Sequence, residues 1–241
     1  MEMPDAMGHA YLDYLEGRSP SLTIERSDGY LDWDNMESYF CDYSEFPECE
    51  KKALEYAKGR VLDIGSGAGR VALYLQKRSM NVTGIDLSEL ALDVARARGV
   101  KNLVAMSACS LEFEDNSFDT AIAFGNNFGL CGSPEGVVSM LVRLRSILTD
   151  EGVILSETID PLKTDKEDHL RYHELNRKQG KPPGQIRLRL KYRGLVTNWW
   201  DLLFVTPDEM KILCDKSGWK IKEIFQEGGK NPVYAAVLVK A

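Results

Sequence analysis

The stretch VLDIGSGAGR (61–70) sets three glycines, Gly65, Gly67 and Gly69, between an apolar run and an amphipathic one. Glycines at a strand-to-helix turn permit a left-handed backbone and let main-chain N–H groups approach a ligand that side chains would hold away. Asp86 ends the next apolar run, 21 residues after Gly65, where a carboxylate can accept from both hydroxyls of a ribose. These two features together predict a nucleoside ligand. The dinucleotide pattern G-x-G-x-x-G begun at Gly65 needs glycine at position 70, where the chain has Arg70, and no Gly-Lys-Ser/Thr ending follows. Asp63, just before the turn, repels phosphate and favours a cationic ligand group, unless it serves only to stabilise the turn. The expected ligand therefore carries a ribose and no phosphate.

The elements that must hold these residues alternate in phase. Predicted strands cover 60–65, 81–88, 102–108, 119–125 and 152–159, and predicted helices cover 69–80, 88–99 and 133–152. Strand-helix alternation with short connections is the pattern of a parallel sheet covered on both faces. The regularity breaks over 160–205, where a helical stretch ends at Gly180, KPPG (181–184) turns, and QIRLRLKYRG alternates strictly before an antiparallel partner at 196–205. A helix begun by Thr206 and Pro207 and strands at 220–227 and 233–240 complete the core. The expected fold is α/β: a Rossmann-like seven-stranded mixed sheet with helices on both faces, an N-terminal helical cap and an insertion after strand five. The corresponding segments are 1–57, 58–159, 160–205 and 206–241.

With VLDIGSGAGRVALYL, NVTGIDLS and LEFEDNSFDTAIAFGN taken together, the chain resembles the class I S-adenosylmethionine-dependent methyltransferases. The likeness runs over roughly 55–160 and resumes in TPDEMKILCDKSGWKIKEI and the final strand. It implies a seventh strand that is antiparallel and inserted between strands five and six. It also implies that Gly65, Ser66 and Gly67 lie along the methionine part of the cofactor, that Asp86 holds the ribose, and that Leu87 lies beside the adenine. Asp63 and Arg70 are counted with the cofactor-binding residues. Where the family often has an acid near the adenine amino group, this chain has Ala108 or Cys109, which leaves that hydrogen bond to backbone groups. Gly125, Asn126 and Asn127 stand where the family faces the sulfonium and the acceptor. FGNNFGLCG lacks the Asn-Pro-Pro-Tyr or Asp-Pro-Pro-Tyr sequence and looks more like the small-molecule members.

Methyl transfer needs approach geometry and desolvation, and sometimes a base. His169 and His173 share a helix face and are the candidate bases, with surface histidines as the plain alternative. Their spacing also suits zinc, but the pattern lacks the Glu of H-E-x-x-H and a third ligand, so no metal is expected. Arg187, Arg189, Lys191 and Arg193 form a basic ribbon with three readings: a solvated edge strand, a face against an acidic N-terminal segment, or a clamp for an anionic acceptor. The expected acceptor-side residues are Trp33, Tyr39, Phe40, Asn127, Arg189 and Trp199, with Tyr30 as a further pocket aromatic.

The composition, 44% apolar and 28% charged, excludes global disorder. Net charge is −7, yet 1–60 carries 14 acidic against 6 basic residues (net −8), and 161–200 carries 10 basic against 4 acidic (net +6). Five scattered cysteines without a C-x-x-C pair argue against a disulfide framework or structural zinc. The opening residues lack a signal-peptide pattern and no run approaches a membrane span, so a cytoplasmic protein is expected. The functional reading is methyl transfer from S-adenosylmethionine, leaving S-adenosylhomocysteine, to nitrogen or oxygen of a small metabolite. The alternatives are a tRNA or rRNA methyltransferase and a non-catalytic nucleoside-binding regulator. Homo-oligomerisation is left undetermined.

Overall fold

The structure, a computed structural model, describes residues 4–228 and 231–241; the first three residues of segment 1–57, and 229–230 within 206–241, lie outside the described residues. Helix α1 (Ala6–Leu15) is started by Asp5, whose carboxylate accepts from Gly8 N at 2.8 Å. Strands β1 (Ser21–Arg26) and β2 (Leu31–Asn35) follow, then α2 (Glu37–Phe40) and α3 (Glu48–Leu54). The helical cap expected over 1–57 is thereby corrected, because the segment also contributes an antiparallel hairpin. Leu22 and Ile24 do alternate with polar residues, but over too short a stretch to stand out. Besides β2, β1 pairs with a strand from far along the chain.

The core alternates as predicted: β3 (Arg60–Ile64), α4 (Arg70–Lys77), β4 (Asn81–Asp86), α5 (Glu89–Arg98), β5 (Asn102–Ala105), β6 (Phe118–Ala123), α6 (Pro134–Ile147) and β7 (Leu148–Ile159). The insertion comprises α7 (Glu167–Lys178), β8 (Gln185–Tyr192), β9 (Leu195–Val196) and β10 (Trp200–Leu203). Helix α8 (Pro207–Ser217), β11 (Trp219–Gln226) and β12 (Val233–Lys240) end the fold. The main sheet has seven strands in the order β11-β12-β7-β6-β3-β4-β5, with β12 antiparallel to both neighbours. This is the expected insertion of the last strand between the fifth and the sixth.

Both faces of that sheet are buried, which explains why its strands read as apolar runs. On one face Leu141, Leu144 and Ile147 of α6 meet Met210 and Leu213 of α8 around Trp219. The other face carries Leu54 of α3, Val71 and Leu75 of α4, and Ala95 of α5. Each fully buried leucine contributes roughly 1.5–3 kcal/mol. Trp219 Nε1 donates to Leu141 O at 2.9 Å and Tyr234 Oη to Val205 O at 2.8 Å, so the polar ends of these large aromatics are satisfied.

A second sheet, ordered β10-β8-β1-β2 with β9 paired to β8, roofs the first. Its inner face, Leu22, Leu188, Leu190 and Tyr192, packs with Ala6, Ala10 and Tyr11 of α1 and with Ala91 and Val94 of α5. The predicted alternation of β8 is present, but the solvated-edge reading of its basic face is overturned. Strand β8 lies inside the sheet between β10 and β1. Glu25 stands opposite Arg189 in register, accepts from its Nε at 2.5 Å and lies 2.7 Å from Lys191 Nζ. Those hydrogen bonds hold the Glu25 carboxyl down at about 2. Arg193 pairs with Asp13 at 2.5 Å, and Arg187 lies 3.8 Å from Asp201. The acidic N-terminal segment thus supplies much of the basic ribbon's counter-charge, Glu25 as a cross-strand partner and Asp13 from helix α1.

Helix α8 starts with a reciprocal cap: Thr206 Oγ1 accepts from Glu209 N at 3.1 Å, and Glu209 Oε2 from Thr206 N at 2.8 Å. Thr206→Ala is expected to lower the unfolding free energy by about 1 kcal/mol in urea denaturation. No measurable loss would show that water replaces the cap at no cost.

Candidate functional site

The order of strands turns at β3 and β6, since β4 and β5 extend the sheet to one side and β6 and β7 to the other. Ligands of open α/β sheets collect beyond the carboxyl ends of strands at such a point. The turn after β3 holds Gly65, Gly67 and Gly69 at φ +67°, +52° and +81°. These are left-handed values that a Cβ strains to adopt. Ser66 N donates to Ile85 O at 2.9 Å, fastening the turn to β4. A Cβ on Gly65 would strike the Asn127 side-chain amide, and one on Gly67 would stand 3.1 Å from Tyr11 Oη. The turn is held between the loop after β6 and helix α1.

Asp86 Oδ2 accepts from Gly67 N and its Oδ1 from Ser88 N, each at 2.9 Å. A carboxylate has about four acceptor positions, so two remain for ligand hydroxyls. Burial raises its pKa. Asp63 is 4% exposed and accepts from Ser66 Oγ at 2.9 Å. Burial lifts its carboxyl to about 6 against the opposing Ser66 hydrogen bond and Arg70 charge. Arg70 donates to both oxygens of buried Glu50 at 2.6 and 2.7 Å and lies 4.5 Å over the Phe46 ring, so it is engaged within the protein. Leu87, just beyond Asp86, is 66% exposed and offers an apolar surface to a flat ring.

The fourth core strand ends at Ala123, and Gly125 and Asn126 follow at φ +69° and +67°. Gly125 N donates to Glu157 Oε2 at 2.6 Å. Asn127 Nδ2 donates to Ile64 O at 2.8 Å and Gly65 O at 3.0 Å, which ties the two turns together. Asn126 Oδ1 is buried with no donor. Glu157 is 4% exposed, and burial, with the Glu50 charge second, pushes its carboxyl to about 7.

The lid over these turns is aromatic. Tyr39 and Phe40 lie 5.3 and 5.9 Å from Tyr11, ring to ring, and Tyr39 Oη donates to Asp34 Oδ2 at 2.6 Å. Arg98 donates to Ala68 O at 2.6 Å and Phe40 O at 3.0 Å, clamping the lid to the glycine turn.

The other predicted residues are less concentrated. Trp33 is 64% exposed on β2, and Trp199 lies 4.5 Å under Arg189. Arg189 is paired with Glu25, which corrects its reading as a free clamp for the acceptor. His169 meets Thr164 Oγ1 at 3.1 Å and the Tyr30 ring at 5.3 Å, and His173 is buried with Nδ1 unpartnered. Burial depresses both histidines, and neither meets the strand-end residues through these contacts. Ala108 packs on the main core. Cys109 forms a disulfide with Cys131, Cα atoms 5.5 Å apart, correcting the expectation of no disulfide. The crossing from β5 and the loop after β6 meet in space, which the sequence separation of 22 conceals. Tyr11, Asp34, Arg98 and Glu157 also line or brace these turns and were not among the expected residues. The one legible signal was Glu157, an acid inside the apolar run GVILSETI.

A family described as a methyltransferase domain matches residues 61–152. The solved S-adenosylmethionine-dependent methyltransferase of Bacteroides fragilis, in complex with S-adenosyl-L-homocysteine, superposes with a TM-score of 0.84 at 27% identity, covering 99% of this chain and 95% of that one. The phosphatidylethanolamine N-methyltransferase of Cereibacter sphaeroides is 36% identical over 49% of this chain and 61% of its own length. The tRNA (uracil(54)-C(5))-methyltransferase of Pyrococcus horikoshii is 40% identical over 33% of this chain and 21% of its own length. Fold, turn and matches point the same way: residues 61–152 match a methyltransferase domain, and the chain as a whole is similar to a class I S-adenosylmethionine-dependent methyltransferase. No helix among the described residues is long and apolar enough to cross a membrane.

Asp63 and Glu157 have raised pKa values, so each favours the ligand-free fold when protonated. That contribution is complete below the ordinary carboxylate range and is lost as pH rises through about 6 for Asp63 and about 7 for Glu157. Urea unfolding of the ligand-free chain is expected to show stability falling between about pH 5 and about pH 8 by on the order of a few kcal/mol. Glu157→Gln should flatten the upper half of that window; an unchanged slope in E157Q would assign the titration to another group.

Proposed function

We propose that the chain binds S-adenosylmethionine along Gly65, Ser66 and Gly67, with the ribose hydroxyls on Asp86, and transfers its methyl group to nitrogen or oxygen of a small molecule. The observation that carries this reading is the Asp86 carboxylate, partly buried at the end of β4 and oriented by Gly67 N and Ser88 N. The surrounding residues suit the group. The turn's glycines leave main-chain groups uncovered by side chains of their own and let Asn127 and Tyr11 close on it, and Asp63 offers a buried carboxylate to an ammonium group. When bound, S-adenosylmethionine supplies an electrophilic methyl on a positively charged sulfur.

The chain's own residues then orient, desolvate and shield. Asp86 and the glycine turn fix the nucleoside, while Tyr11, Tyr39 and Phe40 exclude water above it. Gly125, Asn126 and Asn127 form the wall on the acceptor side. A small acceptor is favoured over RNA because the basic face of β8 is paired with Glu25, Asp13 and Asp201 rather than offered to phosphates. Nitrogen as the acceptor atom draws support from the relative named as a phosphatidylethanolamine N-methyltransferase.

Incubation of the purified protein with methyl-labelled cofactor and a metabolite extract, followed by mass identification, is expected to yield a labelled small product; label in RNA instead would overturn the acceptor class. Asp86→Ala removes charge-assisted bonds of about 1.5–3 kcal/mol each, so affinity for S-adenosylhomocysteine should fall at least about tenfold by calorimetry. Unchanged affinity would take Asp86 out of the site.

A further inference from the structure

Glu157 is the buried acid that the cofactor reading leaves without a task. It sits near the end of β7, and its Oε2 receives the N–H of Gly125, the residue that opens the turn after β6. That turn is bound to the glycine turn through Asn127, whose Nδ2 reaches Ile64 O and Gly65 O. The carboxylate therefore supports one wall of the cleft whose other wall is the glycine turn.

Its electrostatic surroundings are defined from each side. The charged and titratable groups that act on it are Glu50 and Cys49 of α3, Arg70 of α4 and Tyr39 of α2; Tyr234 of β12 also feels its charge but lies on the opposite face of the sheet, since Ala235 is the residue paired with Glu157. Arg70 is the cation in this group, and both of its terminal nitrogens are bound by Glu50. The pair neutralises itself and leaves Glu157 with backbone donors but no hydrogen-bonded cation among the described residues. A buried carboxylate without a counter-charge is costly, and the cost is recovered when a cation enters the same cleft. Asn126 Oδ1, also buried without a donor, adds a second electronegative atom on the same turn.

We propose that Glu157 is the counter-charge of the sulfonium and makes this site prefer S-adenosylmethionine to S-adenosylhomocysteine. The inference rests on the cofactor placement proposed above and assigns a specificity-determining residue to it. In the transfer the acceptor's lone pair forms the new bond to the methyl carbon. The carbon–sulfur pair returns to sulfur and the acceptor's proton leaves to solvent. Sulfur is then neutral, so the attraction to Glu157 ends with the reaction and favours exchange of product for fresh cofactor.

The test needs no acceptor, only the two nucleosides. Calorimetry gives the ratio of affinities for S-adenosylmethionine and S-adenosylhomocysteine in wild type, Glu157→Gln and Glu157→Asp at about pH 8 and about pH 5.5. Asp63 also titrates, but both ligands carry the same amino group, so its effect cancels in the ratio. A buried charge pair supports a change of about tenfold or more at an effective dielectric near 20. The expected result is a wild-type preference for S-adenosylmethionine that falls at low pH and is lost in E157Q, while E157D keeps the pH dependence. General damage to the fold would weaken both ligands alike and leave the ratio unmoved. A wild-type ratio that is the same at both pH values, or a ratio unchanged in E157Q, overturns the proposal while leaving the cofactor reading intact. If E157Q does not fold, the wild-type pH series decides. Failure of wild type to bind either nucleoside overturns the cofactor reading itself.

Discussion

At the carboxyl ends of β3, β4 and β7 the carboxylates Asp63, Asp86 and Glu157 are withdrawn from water, with Arg70 as the neighbouring cation and Arg70 itself engaged by Glu50. Burying several acids around one guanidinium is unfavourable unless each is hydrogen-bonded or meets an incoming cation. Much of the local architecture answers that constraint. Ser66 Oγ serves Asp63, the backbone of Gly67 and Ser88 serves Asp86, and the backbone of Gly125 serves Glu157. Backbone donors satisfy the carboxylates without adding positive side chains, so the cleft keeps a negative character suited to a ligand bearing an ammonium and a sulfonium.

The roof solves a different problem. Residues from both the N-terminal segment and the insertion build one antiparallel sheet, so neither piece covers the cleft alone. Glu25 bridging Arg189 and Lys191 holds the two together across a sequence separation of 164 for the Arg189 contact. Apolar packing of Leu22, Leu188 and Leu190 on α1 does the larger share, because partly exposed ion pairs contribute little. Gly129 and Gly132 let the loop after β6 lie against the β10 backbone, so the roof also braces the acceptor wall.

The core was legible in the sequence because parallel strands buried on both faces leave apolar runs, and because the glycine turn and Asp86 are defined by local spacing. Ser88 and Gly99 bound α5, as their residue types indicated. The roof was less legible. Strand β1 pairs with β2 on one side and with the distant β8 on the other, and punctuation by Gly17, Pro20 and Gly29 disguised the hairpin. Tyr11 and Arg98 become site residues through packing between elements distant in sequence, and the Cys109–Cys131 bridge depends on two loops meeting above the sheet. Arg189 was readable as a basic residue on an alternating strand, but its partner Glu25 was not.

The proposed cofactor placement requires one nucleoside site spanning the turns after β3, β4 and β6 beneath Tyr11 and Tyr39. Hydrogen exchange of backbone amides with and without S-adenosylhomocysteine tests it most directly. The expected result is added protection at 65–69, 86–88 and 125–127 and in the lid around 39–40, with little change along α7. Protection centred on α7 and the β1–β2 turn, with the glycine turn unaffected, would contradict it.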